Sequence, residues 1–83
     1  MPLKLYGYST EAASVEAIRP SELAEVTLVA SPEDLRKIAE FLASAAAEME
    51  RMGSAYSHEH LADKHPRFRD SPHLVVFSPE ATS

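Results

Sequence analysis

A small α+β fold is what this sequence predicts: a three-stranded, mainly antiparallel sheet with one long amphipathic helix packed on one face, in the order β-β-α-β. Three observations predict it. A single uninterrupted helical pattern runs from Pro32 to Met52, a period-two run precedes it from Leu23 to Ala30, and an apolar run from His73 to Ser78 follows near the end. The 83 residues are read as one domain, 1–83, near the lower size at which an apolar core suffices without covalent staples.

In chain order, Leu3 to Tyr8 comes first, with Leu3 and Leu5 on one side and Lys4, Tyr6 and Tyr8 on the other. Residues 9–22 form a polar connection. In Leu23 to Ala30, Val26, Leu28 and Ala30 alternate with Glu25, Thr27 and Val29, the pattern of a half-buried strand. The helix then has independent start and stop signals. Ser31 suits the N-cap, Pro32 the first helical position, and Glu33 and Asp34 put negative charge at the positive end of the helix dipole. Asp34 completes a Ser-x-x-Asp capping box, and Gly53 stands where a glycine would end the helix. At about 100° per residue, Leu35, Ile38, Ala39, Phe41, Leu42, Ala45, Ala46, Met49 and Met52 gather on one broad stripe opposite a charged face. Leu35, Ile38, Leu42, Ala46 and Met49 are expected to pack on Leu5, Val26 and Leu28. Residues 53–72 make a long connection with a short helix starting after Ser57. The last run, His73-Leu74-Val75-Val76-Phe77-Ser78, is apolar on both sides, as in a strand covered on both faces, and Pro72 and Pro79 punctuate it.

Composition narrows the function. There is no cysteine, so no disulfide framework, thiol nucleophile or thiolate metal site. No leader pattern and no run near the roughly 18 apolar residues of a membrane span is present, which points to a soluble, cytoplasmic protein without a membrane partner. The formal charge of −5 is uneven: residues 11–50 carry nine carboxylates against three bases, a local net of −6. Residues 51–73 reverse the sign, and His58, His60, His65 and His73 would add positive charge below about pH 6.5. The acidic bulk disfavours nucleic acid and steers toward a basic partner.

No catalytic engine is legible. A Gly-x-Ser-x-Gly elbow and a glycine-rich phosphate loop are both missing, the only glycines being Gly7 and Gly53. Glu48 and Glu50 point to different sides of the helix and read as solvation. The segment Ser57-His58-Glu59-His60-Leu61-Ala62-Asp63-Lys64-His65 is dense in metal-ligand types. Its spacing fits no standard closed zinc site, because His58 and His60 share a face only if extended and diverge by about 200° on a helix. No cofactor and no metal requirement are expected.

One helix covers one side of a sheet, so the other side, with Tyr6 and Tyr8, meets solvent or a partner and suits docking, homodimerisation included. A second candidate patch lies on the long connection and comprises His58, Glu59, His60, Asp63 and Phe68, because loops often carry recognition. The connection is favoured slightly, since dimerisation would use up the sheet face.

Tyr6-Gly7-Tyr8-Ser9-Thr10-Glu11, the strand–cap–helix block Leu23 to Gly53, His58-Glu59-His60-Leu61 and Leu74-Val75-Val76-Phe77 resemble the bacterial immunity protein 32 family of polymorphic toxin systems. The resemblance spans most of the chain. It implies an α+β protein that protects its cell by binding a cognate toxin, a function carried by a surface and not by an enzyme. The alternative in another class is a small metal- or ligand-binding, enzyme-like domain.

Overall fold

The computed structural model describes residues 3–8 and 21–79. Its backbone is α+β, with strand β1 (Leu5–Gly7), strand β2 (Ser21–Leu23), helix α1 (Pro32–Met52), strand β3 (His58–His60), helix α2 (Leu61–Lys64) and strand β4 (Val75–Phe77). Short 3₁₀ turns at Gly53–Ala55 and Pro66–Phe68 complete it.

The expected single three-stranded sheet is replaced by two antiparallel pairs, β1 with β2 and β3 with β4. Leu5 faces Leu23 and Gly7 faces Ser21 in the first; His58 faces Phe77, Glu59 faces Val76 and His60 faces Val75 in the second. A bend at Ala24 ends the β1–β2 pairing, so Val26, Leu28 and Ala30 alternate as a strand would but lie outside the pairing and are exposed. Most of the expected polar connection over 9–22 lies outside the described residues.

Helix α1 keeps the predicted limits because both ends are written locally. The Ser31 hydroxyl accepts a hydrogen bond from the Asp34 N–H at 3.1 Å, and the Leu35 N–H bonds the Ser31 carbonyl at 2.9 Å. Gly53 has φ of 56° and donates its N–H to the Met49 carbonyl. That backbone conformation suits a residue without Cβ.

The core is not where the strands upstream of the helix would have put it. Ile38, Phe41, Leu61 and Phe68 form the buried cluster, with Leu74 and Val76 packed against it. Ile38, Phe41 and Ala45 are therefore the buried edge of a broad apolar stripe, and Phe41 is only 1 % exposed. Leu42, expected in the core, is 47 % exposed, and Leu35 and Ala46 are exposed too. The cover comes from downstream, from α2, the Pro66–Phe68 turn and β4. Arg67 fastens this cover to the helix, reaching Glu33 at 2.7 Å and Asp34 at 3.0 Å. Its guanidinium holds the Glu33 carboxyl below the usual carboxylate range, first by the hydrogen bond and then by charge. Among the described residues no helix is long and apolar enough to cross a membrane.

Phe41 and Leu42 are adjacent in sequence and opposite in burial, which gives a direct test. Phe41→Ala should lower the unfolding free energy by roughly 3–5 kcal/mol, as expected for a deleted core ring. Leu42→Ala should cost less than about 1 kcal/mol. Chemical denaturation of both variants decides, and equal losses would show that the helix is packed through the wrong edge.

Candidate binding site

Three residues of β3 organise the site. In an extended strand successive side chains point to opposite faces, so His58 and His60 share one side and Glu59 takes the other. Pairing with β4 fixes which side is which. Val76, the partner of Glu59, packs on the core, so Glu59 lies on the inward side and its side chain is only 14 % exposed. His58 and His60 are left on the outward face with Phe77 and Val75.

This outward face is an aromatic patch. The His58 ring stacks on Phe77 with centroids 4.8 Å apart and meets His60 edge-on at 5.3 Å, while His60 meets His73 at 6.4 Å. The Ser57 hydroxyl lies 3.0 Å from His58 Nδ1 and steadies that ring. Phe77 and His58 are exposed, and His60 is half-buried. Such a surface offers large, flat, amphipathic contact area to another protein.

Beside the patch, between the last turns of α1 and the β3–α2 segment, an open cleft of about 640 Å³ is lined in part by Glu48, Arg51, Tyr56, Glu59, Asp63 and Lys64. Arg51 pairs with Glu48, and Lys64 Nζ lies 3.4 Å from Glu59 Oε2. Tyr56 is 3 % exposed. Among the described residues, neither its hydroxyl nor Glu59 Oε1 has a hydrogen-bond partner, although both are buried. Burial pushes the Tyr56 phenol up to about 12, and the neighbouring Glu59 carboxylate adds to the rise because it favours a neutral hydroxyl and repels a phenolate. The hydroxyl and the carboxylate are a donor and an acceptor side by side, close enough for a weak hydrogen bond.

The candidates named from the sequence are thus distributed over different places. His58 and His60 come together on the outward face, and both also line the adjoining cleft with Glu59 and Asp63. Phe68 is buried in the core, where it supports this region by packing and offers no contact surface. Tyr6 and Tyr8 are exposed on or beside the β1–β2 pair, a different sheet. Phe77 and His73, missing from the predicted patch, join it, Phe77 through register and His73 through its edge-on contact with His60, and the apolar, punctuated run around them was the available signal. Tyr56 belongs to no motif. Among the described residues, no group of three or more histidine and carboxylate side chains is arranged to hold a metal ion.

In a comparison with known families, the immunity protein 32 model aligns with residues 25–79. This is well over half of the chain, and the chain belongs to the immunity protein 32 family. No curated protein and no solved structure matches significantly.

The Tyr56 phenol makes the site's burial measurable. Its folded-state value lies above the ordinary 10 of the unfolded chain. The stability it contributes is therefore fully present below pH 10 and is lost as pH rises through about 12. In an alkaline titration, the last phenolate absorbance should appear together with loss of the circular-dichroism signal, and Tyr56→Phe should remove that phase. An unchanged curve in Tyr56→Phe would contradict the burial.

Proposed function

We propose that this member of the immunity protein 32 family neutralises a cognate bacterial toxin by protein–protein binding, using the outward β3–β4 face and the cleft beside it. The observation that carries the reading is the family match and its limits. A function common to a family resides in the part of the chain that the family shares, here residues 25–79. That span contains α1, β3, α2 and β4 and leaves out Tyr6 and Tyr8. His58, Glu59, His60 and Asp63 are therefore favoured over the two tyrosines as partner-binding residues, with Phe77 joining them through its stack on His58.

The physical character of the surface supports this. Recognition surfaces gain most from a few rigid aromatic groups at the centre of a patch. His58, His60 and Phe77 are such groups, held by a hydrogen-bonded strand pair that is itself anchored to the core through Val76. The acidic helix beside them attracts a basic partner and speeds its approach. Binding is the proposed action, with no bond made or broken by this chain. The bacterial cytoplasm is the proposed place, because a cell protected from its own toxin needs the antidote where the toxin acts.

Co-expression with the toxin encoded beside the gene tests the reading. The chain should restore growth and co-purify with the toxin. His58→Ala and Phe77→Ala should each weaken the complex by about tenfold or more, whereas Tyr6→Ala and Tyr8→Ala should change it by less than about threefold. If the chain neither rescues growth nor co-purifies, toxin neutralisation is excluded; if only the tyrosine variants lose affinity, the surface is misplaced.

A further inference from the structure

We propose that the exposed edge of α1 is a docking face for a second copy of this chain, whose own α1 lies antiparallel across it. The inference goes beyond the toxin-binding reading and uses a different side of the helix.

The apolar stripe of α1 is wider than its cover. Ile38, Phe41 and Ala45 are buried along one edge, whereas Leu35, Ala39, Leu42 and Ala46 are exposed and Met49 is half-buried. These five follow one another at spacings of 4, 3, 4 and 3 residues, the repeat by which one helix keeps a continuous apolar seam turned toward another. At 1.5 Å per residue the seam is about 21 Å long. Its leucines and methionine alternate with alanines, so large side chains of one helix meet space beside the small ones of the other.

Charge decides what covers this seam. Arg36 and Glu50 flank it on one side, about 100° and 60° from its midline. Both are exposed, and among the described residues neither is in an ion pair. They stand symmetrically about position 43, next to Leu42 at the centre of the seam. A two-fold axis there sets Leu42 against Leu42 of the second copy, Leu35 against Met49 and Ala39 against Ala46. The same axis brings each Arg36 to the Glu50 of the other copy, so two ion pairs form together. Such self-complementarity is what a two-fold interface demands of one surface. Parallel alignment would set Arg36 on Arg36 and Glu50 on Glu50, and would also oppose like ends of the two helix dipoles. Glu48 and Arg51, which line the cleft, project about 120° and 180° from Leu42, so the seam leaves the cleft side of the helix uncovered.

The test is sedimentation velocity of the full chain between about 10 μM and 1 mM, the range in which so short a contact dissociates. A monomer–dimer equilibrium should appear. Leu42→Glu should weaken it about tenfold or more with circular dichroism unchanged, since Leu42 lies outside the core. Arg36→Glu and Glu50→Arg should each weaken the dimer about fivefold, and the double variant, which restores both pairs with the charges exchanged, should return it to within about threefold of the parent. If Leu42→Glu proves unfolded, the charge exchange decides. A chain still monomeric at about 1 mM, a dimer indifferent to Leu42→Glu, a double variant no better than the single ones, or a dimer lost instead in Tyr8→Ala would overturn the proposal. Growth rescue and toxin co-purification are scored separately, so the seam and the toxin reading fail independently.

Discussion

The burial of one edge of α1 against the segment that follows it governs the rest of this molecule. Phe41 and Ile38 have Leu61 and Phe68 as their cover, with Leu74 and Val76 completing the cluster. Fully burying a ring such as Phe41 contributes on the order of 2–3 kcal/mol, a large part of the net stability of a chain this short. The chain must therefore fold back so that β3, α2 and β4 lie along the helix, and Arg67 holds the return at the helix's first turn.

The outward β3–β4 face follows from that packing by geometry alone. Once Val76 is turned toward the core, the pleat turns Val75 and Phe77 away from it. Register then does the same on the partner strand: Glu59, opposite Val76, lies inward, and His58 and His60, opposite Phe77 and Val75, lie outward. Backbone bonds on both flanks keep this register from slipping, with the Leu61 N–H on the Leu74 carbonyl at 2.9 Å and the Ser78 N–H on the Ser57 carbonyl at 3.0 Å. A one-residue slip of β3 would turn two imidazoles inward and Glu59 outward. Core and surface are thus two faces of one constraint.

What the sequence discloses divides along the same line between local and long-range information. The limits of α1 were legible because Ser31, Pro32 and Gly53 act within one turn of themselves. The side of its broad apolar stripe that would be buried was not, since a helix with Leu35, Ile38, Phe41 and Leu42 all apolar accepts cover from either direction. The pattern in Val26 and Leu28 pointed upstream, yet pairing with β1 stops at Leu23 and the cover comes from downstream. The three-residue strand His58–His60 is shorter than any window in which a period of two stands out. Its one clue was that two histidines flanking a carboxylate share a side only when extended. Tyr56 could be found only in three dimensions, because its role depends on Glu59 and not on a motif.

The position of Glu59 shows why a binding protein would retain a local defect. An apolar residue in that inward place would join Val76 in the core and leave no unsatisfied acceptor, and such replacements of buried charge often stabilise a fold. Here the position holds a carboxylate, half answered by Lys64 and bordered by the Tyr56 phenol. Isolated stability is lower for it. On the binding reading proposed above, a partner that brings a cation to this carboxylate would gain, and one that brings an apolar or acidic group would leave the cost of its burial in place. Specificity of this kind needs no catalytic group and no large cavity. On that reading it needs a rigid strand pair to present the aromatic face and a carboxylate beside it, and the packing around Phe41 holds both in place.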